Sequence, residues 1–323
     1  RQMCIRDSSL TLVSLNGIKN RQDLFSKFED GIKAVTDLID KEKFLTSSKI
    51  LAIFKYRTKI KKAGIFGILD PLATGILPIV VGEATKFINY IPNNNKTYEV
   101  KCKLGVFSQC GDYETEPVTF ENEIDIINNL STEVIEATFK KFIGKYPQIP
   151  PMYSASKHKG KPLYTYARKN ITVKRELKER YIYDLKLNSL EGDVLTFKVT
   201  CSPGTYIRTL IQDISRLWNL HSCLFELDRC MVEPFEKYPA IDLKDINIDN
   251  LDKYNISICD MLKNIPLINC NSREIDRLYA GLSIERQNTA NVTICRLMDG
   301  ENIFHGIGYF RENVLYPKRL MKK

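Results

Sequence analysis

Between Gly64 and Pro78 the chain reads Gly64-Ile65-Phe66-Gly67-Ile68-Leu69-Asp70-Pro71-Leu72-Ala73-Thr74-Gly75-Ile76-Leu77-Pro78. One carboxylate, Asp70, stands in an apolar segment broken repeatedly by glycine and proline. No single regular element can accommodate that pattern. Pro71 lacks an N–H and biases Asp70 toward extended backbone. Gly64, Gly67 and Gly75 allow another backbone or a ligand to approach closely. A bare carboxylate among apolar neighbours is unfavourable unless a cation or a hydrogen-bond donor meets it. On this segment alone the simpler description is an Asp-Pro turn between two buried elements, since both are ordinary turn residues.

The flanking patterns supply those elements. Ser47-Ser48 precedes Ile50, Leu51 and Phe54, whose spacing predicts a capped helix. Tyr98, Val100, Cys102 and Leu104 alternate with Glu99, Lys101 and Lys103, the pattern of a half-buried strand with Tyr98 on its apolar face. A second strand follows at Leu195, Phe197, Val199 and Cys201. Ser202-Pro203-Gly204 ends it, and Ile207, Leu210, Ile211, Ile214 and Leu217 then take helical spacing. Arg208 thus falls in the first turn of a helix directly after a strand, although most arginines lie on the surface. Toward the C-terminus a short helix is expected over 272–281, then strands on both sides of the Asp299-Gly300 turn.

The net charge of +9 is concentrated in two places. Lys55 to Lys62 holds five basic residues and no acid, and Lys157 to Arg180 holds nine basic residues against Glu176 and Glu179. The remainder of the chain is therefore slightly acidic. Runs of lysine usually mark a solvated face. Tyr153, Tyr164 and Tyr166 lie in or beside the second run, and basic residues mixed with aromatics suit a nucleic-acid surface. Nine cysteines without a Cys-x-x-Cys pair, beside only three histidines, argue against zinc and for a reducing cytoplasm. No apolar run near the motif is long enough to span a bilayer, and no signal-peptide core is visible at the start. Because Arg1 rather than methionine comes first, an incomplete or spurious N-terminus is expected.

The order Gly-x-x-Gly-x-Leu-Asp-Pro-Leu-Ala-Thr-Gly-x-Leu-Pro, followed by Gly82-Glu83-Ala84-Thr85-Lys86, closely resembles the catalytic motif of the TruB family of tRNA pseudouridine synthases. Lys96-Thr97-Tyr98, Gln148 to Ala155 and Gly204 to Thr209 resemble further blocks of that family, in its order and roughly its spacing. The resemblance runs from about Leu38 to the C-terminus. Asp40-Lys41-Glu42-Lys43-Phe44 departs from the family's Asp-Lys-Pro-x-Gly. Ile65 stands where the family has a histidine associated with flipping the base.

The resemblance implies an α+β pseudouridine synthase fold, with a mixed, largely antiparallel sheet flanked by helices. Residues 1–37 form an unassigned extension, in which Ser26 to Asp30 suggests a short helix. Residues 38–262 form the catalytic domain, with a thumb-like RNA-binding insertion at 147–180. Residues 263–323 form a small β-rich, PUA-like domain. The implied reaction isomerises uridine 55 in the T loop of tRNA to pseudouridine, without cofactor or metal. Asp70 is implied as the nucleophile, with Arg208 as its cationic partner and Tyr98 stacking on the uracil and assisting, directly or through water, in removing the C5 proton. Lys41, Ile65, Lys86, Tyr206, Lys157, Lys159 and Lys161 are implied in substrate binding, and Ile65 or Phe66 in filling the gap left by an extruded base. The implied partner is the tRNA T arm, met by a cytoplasmic monomer without a membrane, an obligatory protein or a guide RNA. A non-catalytic tRNA-binding protein on the same scaffold and a guide-RNA-dependent relative are the competing readings. Only an enzyme requires Asp70, Tyr98 and Arg208 to converge, and the thumb-like insertion favours the stand-alone type.

Overall fold

The computed structural model describes residues 9–14, 45–287 and 292–322, with side chains from residue 45 onward. A ten-stranded sheet organises most of them. Its strands are β1 (Ser9–Ser14), β2 (Ala63–Ile65), β3 (Thr74–Val81), β4 (Lys96–Leu104), β5 (Gly144–Gln148), β6 (Lys178–Glu191), β7 (Val194–Cys201), β8 (Ser222–Val232), β9 (Ile241–Asp242) and β10 (Asn255–Ser257). The order is β9-β1-β3-β8-β4-β7-β6-β5, with β10 on β1 and β2 on β3. Only β1–β9 and β3–β8 are parallel, so the expectation of a mixed, largely antiparallel sheet holds. The alternation in β4 and β7 does what it predicts: Tyr98, Val100, Phe197 and Val199 turn to one buried face. Helices α1 (Ser47–Thr58), α2 (Thr132–Phe142) and α3 (Ile207–Arg216) cover that face through Phe54, Phe139, Leu210 and Ile211.

Part of the segment expected to be an unassigned extension belongs to this sheet, because Leu10 to Ser14 pair with Val80 to Ile76 on β3. The short helix suggested at 26–30 lies outside the described residues. At α1 the cap is Thr46 rather than Ser47, its hydroxyl accepting the Lys49 N–H at 3.3 Å.

The 149–177 excursion leaves the sheet between β5 and β6, which pair with each other where it departs and returns, Gln148 opposite Lys178. It carries a hairpin of Lys157–His158 with Lys161–Pro162. Lys159 and Gly160 form the two-residue turn with φ of 47° and 79°, the positive pair that a type I′ turn needs. The paired residues 147–148 and 178–180 are sheet rather than excursion, so the excursion is slightly shorter than 147–180.

From Leu267 onward a second, five-stranded sheet forms from β11 (Leu267–Asn269), β12 (Ile284–Glu285), β13 (Ile294–Met298), β14 (Phe304–Arg311) and β15 (Val314–Leu320), with helix α4 (Ser272–Tyr279). The helix and the β13–β14 hairpin around Asp299-Gly300 stand where the pattern puts them. This unit packs on the main one through a shared cluster in which Ile307 joins Phe66, Phe87 and Phe235.

Candidate active site

The Gly64–Pro78 segment becomes β2, a loop and β3, with Asp70 at the start of a turn closed by the Ala73 N–H on the Asp70 carbonyl at 2.9 Å. Two distant groups pin the loop. Ser47, buried in α1, donates its hydroxyl to the Leu69 carbonyl at 2.9 Å and accepts the Leu69 N–H at 3.0 Å. Arg229, fully buried on β8, donates Nε to the Ile76 carbonyl at 2.9 Å, Nη2 to Gly67 at 3.1 Å and Nη1 to Ile68 at 3.4 Å. One guanidinium thus ties both arms of the loop. Gly75 is required there: its φ is 97°, and a Cβ would lie 2.4 Å from the Arg229 carbonyl oxygen.

Arg208 reaches Asp70 from the first turn of α3, its Nε 2.9 Å from Oδ2. It is 4 % exposed, so it is not one of the surface arginines that base rates favour. Its other nitrogens donate to the Cys110 carbonyl at 2.7 Å and the Tyr153 carbonyl at 2.9 Å. A second, buried carboxylate, Asp112, lies 3.5 Å from the same Nε. Desolvation opposes the charge on Arg208, but Asp70 and Asp112 outweigh it and hold its pKa above the usual arginine value. One arginine therefore joins the Asp70 loop, the loop after β4 and the Gln148–Ala155 block. Such planar, multidentate contact is what a guanidinium does and an ammonium cannot.

Tyr98 comes from β4 and is 8 % exposed. Burial pushes its phenol up to about 12, and the Arg229 guanidinium against its hydroxyl pulls the other way without prevailing. Lys96, also buried, is brought down to about 8, first by desolvation and then by the charge of Arg229, and donates to Asn93 Oδ1 at 2.7 Å. The predicted trio of Asp70, Tyr98 and Arg208 is thus assembled around one loop, with Asp70 itself 33 % exposed. Glu114 lies nearby, raised to about 7 by desolvation and by the charges of Asp112 and Asp70.

The other sequence candidates divide. Tyr206 is the residue before α3; Gln148 accepts its N–H at 2.8 Å and donates to its carbonyl at 3.0 Å, while its hydroxyl meets Ser156 at 2.9 Å. Lys157, Lys159 and Lys161 are exposed on the excursion hairpin. Lys86 is turned to the second sheet, paired with Glu83 and donating to the Leu320 carbonyl at 3.2 Å. Lys41 lies outside the described residues. Ile65 is half-buried in β2 and lines a cleft of about 290 Å³ with Ile88, Asn89 and Asn93. Phe66 is 5 % exposed and meets Phe235 edge-on, ring centres 5.6 Å apart, so it is packed in the core. The first basic run is also partly structural. Arg57 donates to the Lys244 and Ile246 carbonyls, both at 2.6 Å, and Lys62 pairs with Glu83 at 2.8 Å.

Arg208 also walls a larger cleft of about 520 Å³, with Met152, Arg175 and Gln212, beneath the root of the excursion. Asp70 lines neither cleft. Among the described residues no group of three or more His, Cys, Asp or Glu side chains is placed to hold a metal, and no helix is long and apolar enough to cross a membrane.

Residues 55–207, which include Asp70, Tyr98 and Asp112 and end just before Arg208, match the TruB family pseudouridylate synthase N-terminal domain, and residues 266–321 match the C-terminal domain of pseudouridine synthase II TruB. The tRNA pseudouridine synthase B of Coxiella burnetii (strain Dugway 5J108-111) is 36 % identical over 312 residues, covering 94 % of this chain and 98 % of that protein. The chain belongs to the TruB family of pseudouridine synthases. The tRNA pseudouridine synthase B of Hydrogenovibrio crunogenus is similar to it at 36 % identity, with 88 % of this chain and 92 % of that one covered. In three dimensions the chain resembles a subunit of a Cbf5-Nop10-Gar1 complex, with a TM-score of 0.63 at 19 % identity over 97 % of this chain and 80 % of that one. The shared feature there is the pseudouridine synthase fold. Within the TruB frame, Asp112, Arg229 and Ser47 are the site residues that sequence reasoning passed over. For Arg229 a signal existed, since counting by twos from the apolar Leu227 puts it on the inward face of a strand. For Asp112, in an irregular loop, there was none.

Proposed function

We propose that the protein isomerises uridine 55 in the T loop of tRNA to pseudouridine. The observation that carries this reading is the 2.9 Å ion pair between a buried Arg208 and Asp70, the latter within residues that match a pseudouridine synthase family. The tRNA substrate is taken from the names of the relatives at 36 % identity.

The chemistry fits the groups present. The N1–C1′ bond breaks, the uracil turns, C5 joins C1′, the C5 proton leaves and N1 takes one up. Nothing is oxidised, so no redox partner is needed. Asp70, paired with Arg208, serves as the nucleophile or as the anion that stabilises the parted sugar and base. Tyr98 stacks on the extruded uracil. A phenol raised to about 12 is protonated at neutral pH, so it orients the acceptor of the C5 proton rather than taking that proton itself. Arg208 keeps Asp70 aimed. Tyr206 and Ile65 shape the pocket, and Lys157, Lys159 and Lys161 meet phosphates of the T arm. Lys41 and Lys86 belong to the same reading as lesser phosphate contacts, Lys86 only if RNA reaches the seam with the second sheet. The reading carries with it a division at about residue 262, and a monomer acting in the cytoplasm without guide RNA.

The test is mass-spectrometric mapping of pseudouridine in an unmodified tRNA transcript incubated with the protein alone. Conversion confined to uridine 55 is expected. Binding of the transcript without conversion at any uridine would refute the assignment.

A further inference from the structure

The backbone around Ile68 is fixed, yet its side chain is not packed. Arg229 holds the Gly67 and Ile68 carbonyls, and Ser47 holds both polar groups of the Leu69 backbone. Even so, Ile68 is 68 % exposed, more than any other large apolar residue among those described. A single exposed apolar side chain on an ordinary surface needs no explanation. This one stands two residues before Asp70, on a loop held from both sides by buried polar groups. Its apolar neighbours are more covered: Ile65 is half-buried against the main core at the edge of a cleft, Phe66 is in the second core, and Leu69 is buried.

We propose that Ile68 is the wedge of this active site, entering the RNA stack beside the target uridine and filling the space that its extruded base leaves. The inference rests on the function proposed above and adds the residue that holds the base out. Reach permits it: two extended residues span at most ~7 Å, about two base steps at ~3.4 Å each. The energetics favour it. Unstacking a base step costs a few kcal/mol, which an inserted apolar side chain offsets. Isoleucine is stiff at χ1, and its backbone here is already anchored, so little freedom is lost on insertion. Removing apolar surface from water adds to the gain.

The experiment compares wild type, Ile68→Ala and Ile68→Met in single-turnover rates on two RNAs, a folded T-arm stem-loop and an unstructured strand with the same uridine. A second arm places 2-aminopurine beside the target uridine and reads its fluorescence on binding to Asp70→Asn, with and without Ile68→Ala. Ile68→Ala should slow the folded arm by about tenfold and the unstructured strand by less than about twofold, because little unstacking is then required. Ile68→Met should recover most of the loss, and Ile68→Ala should abolish the 2-aminopurine signal while leaving the melting temperature unchanged. Equal losses on both RNAs, no loss on the folded arm, or an undiminished 2-aminopurine signal would overturn the proposal. A wild type that converts neither RNA would bring down the function assignment instead, and the fluorescence arm would still decide the wedge.

Discussion

Arg208 is the residue whose replacement separates geometry from charge. Arg208→Lys retains a cation beside Asp70 but substitutes one ammonium for a fork that reaches Asp70, the Cys110 carbonyl and the Tyr153 carbonyl at 2.7–2.9 Å. A lysine cannot span all three. Each buried carbonyl left without a donor costs about 1–3 kcal/mol. The buried Asp112 also loses some of the cation that sits 3.5 Å away. The combined loss is about 3 kcal/mol or more, which for a chain of this size lowers the melting midpoint by roughly 6 °C. Asp70→Asn makes the useful contrast. It leaves both carbonyl bonds and Asp112 in place, and its own amide oxygen can still accept from Nε, so its midpoint should stay within about 2 °C of wild type. Both variants should be inactive, asparagine for want of a carboxylate and lysine for want of an aimed one. Calorimetry gives the midpoints, and tritium release from C5-labelled uridine in tRNA gives turnover. An Arg208→Lys protein that melts with wild type would refute the idea that one fork joins three segments. Substantial turnover by Asp70→Asn would remove the carboxylate from the chemistry.

Three further outcomes follow from other contacts. Ser47→Ala deletes both anchors on Leu69 and should cost about 1–3 kcal/mol in denaturant unfolding while slowing turnover more than it weakens tRNA binding; a change in binding alone would place Ser47 outside the positioning of Asp70. For Glu83, desolvation raises the carboxyl, but Lys62 and Lys86 together bring it down to about 2, so its contribution is full above the unfolded value near 4.5 and fades as pH falls toward 2; wild type should therefore lose roughly 1–2 kcal/mol relative to Glu83→Gln over that window, discounted for solvent around Lys62, and parallel stability curves would contradict this. Neutralising Lys157, Lys159 and Lys161 together should weaken tRNA binding and flatten the log–log salt slope by about 2–3, read by filter binding at several ionic strengths; an unaltered slope would put the RNA elsewhere.

What could be read from the sequence and what could not divides along a physical line. Strand alternation and helical spacing depend on burial of one face, and burial leaves a periodic trace, so β4, β7 and α3 stand where the pattern put them. That alone brings Tyr98 to the inner face of a strand and Arg208 to a helix start. The carboxylate of Asp70 called for a cation or a hydrogen-bond donor, and the position of Arg208 after Ser202-Pro203-Gly204 offered one. The loop anchors left no comparable trace. Ser47 was indistinguishable from a helix cap, because serine caps helices and serine also bonds distant backbone; the choice depends on where Leu69 arrives in space. Charge counting could not separate Arg57 and Lys62, engaged by carbonyls and by Glu83, from Lys157 and Lys159 on the excursion hairpin, since the same side chain serves either purpose. The wedge shows the limit most sharply. Ile65, Phe66 and Ile68 are equally apolar in the sequence, and the position of a missing histidine drew attention to Ile65. Only the packing distinguishes them: Ile65 is half-buried against the main core and Phe66 is enclosed beside Phe235. Ile68, whose own backbone is clamped, is left facing outward because the clamps act on its carbonyl and its neighbours rather than on its side chain. A residue can thus be rigid in its main chain and unsatisfied in its side chain at once, and that combination is readable only after the fold is in hand.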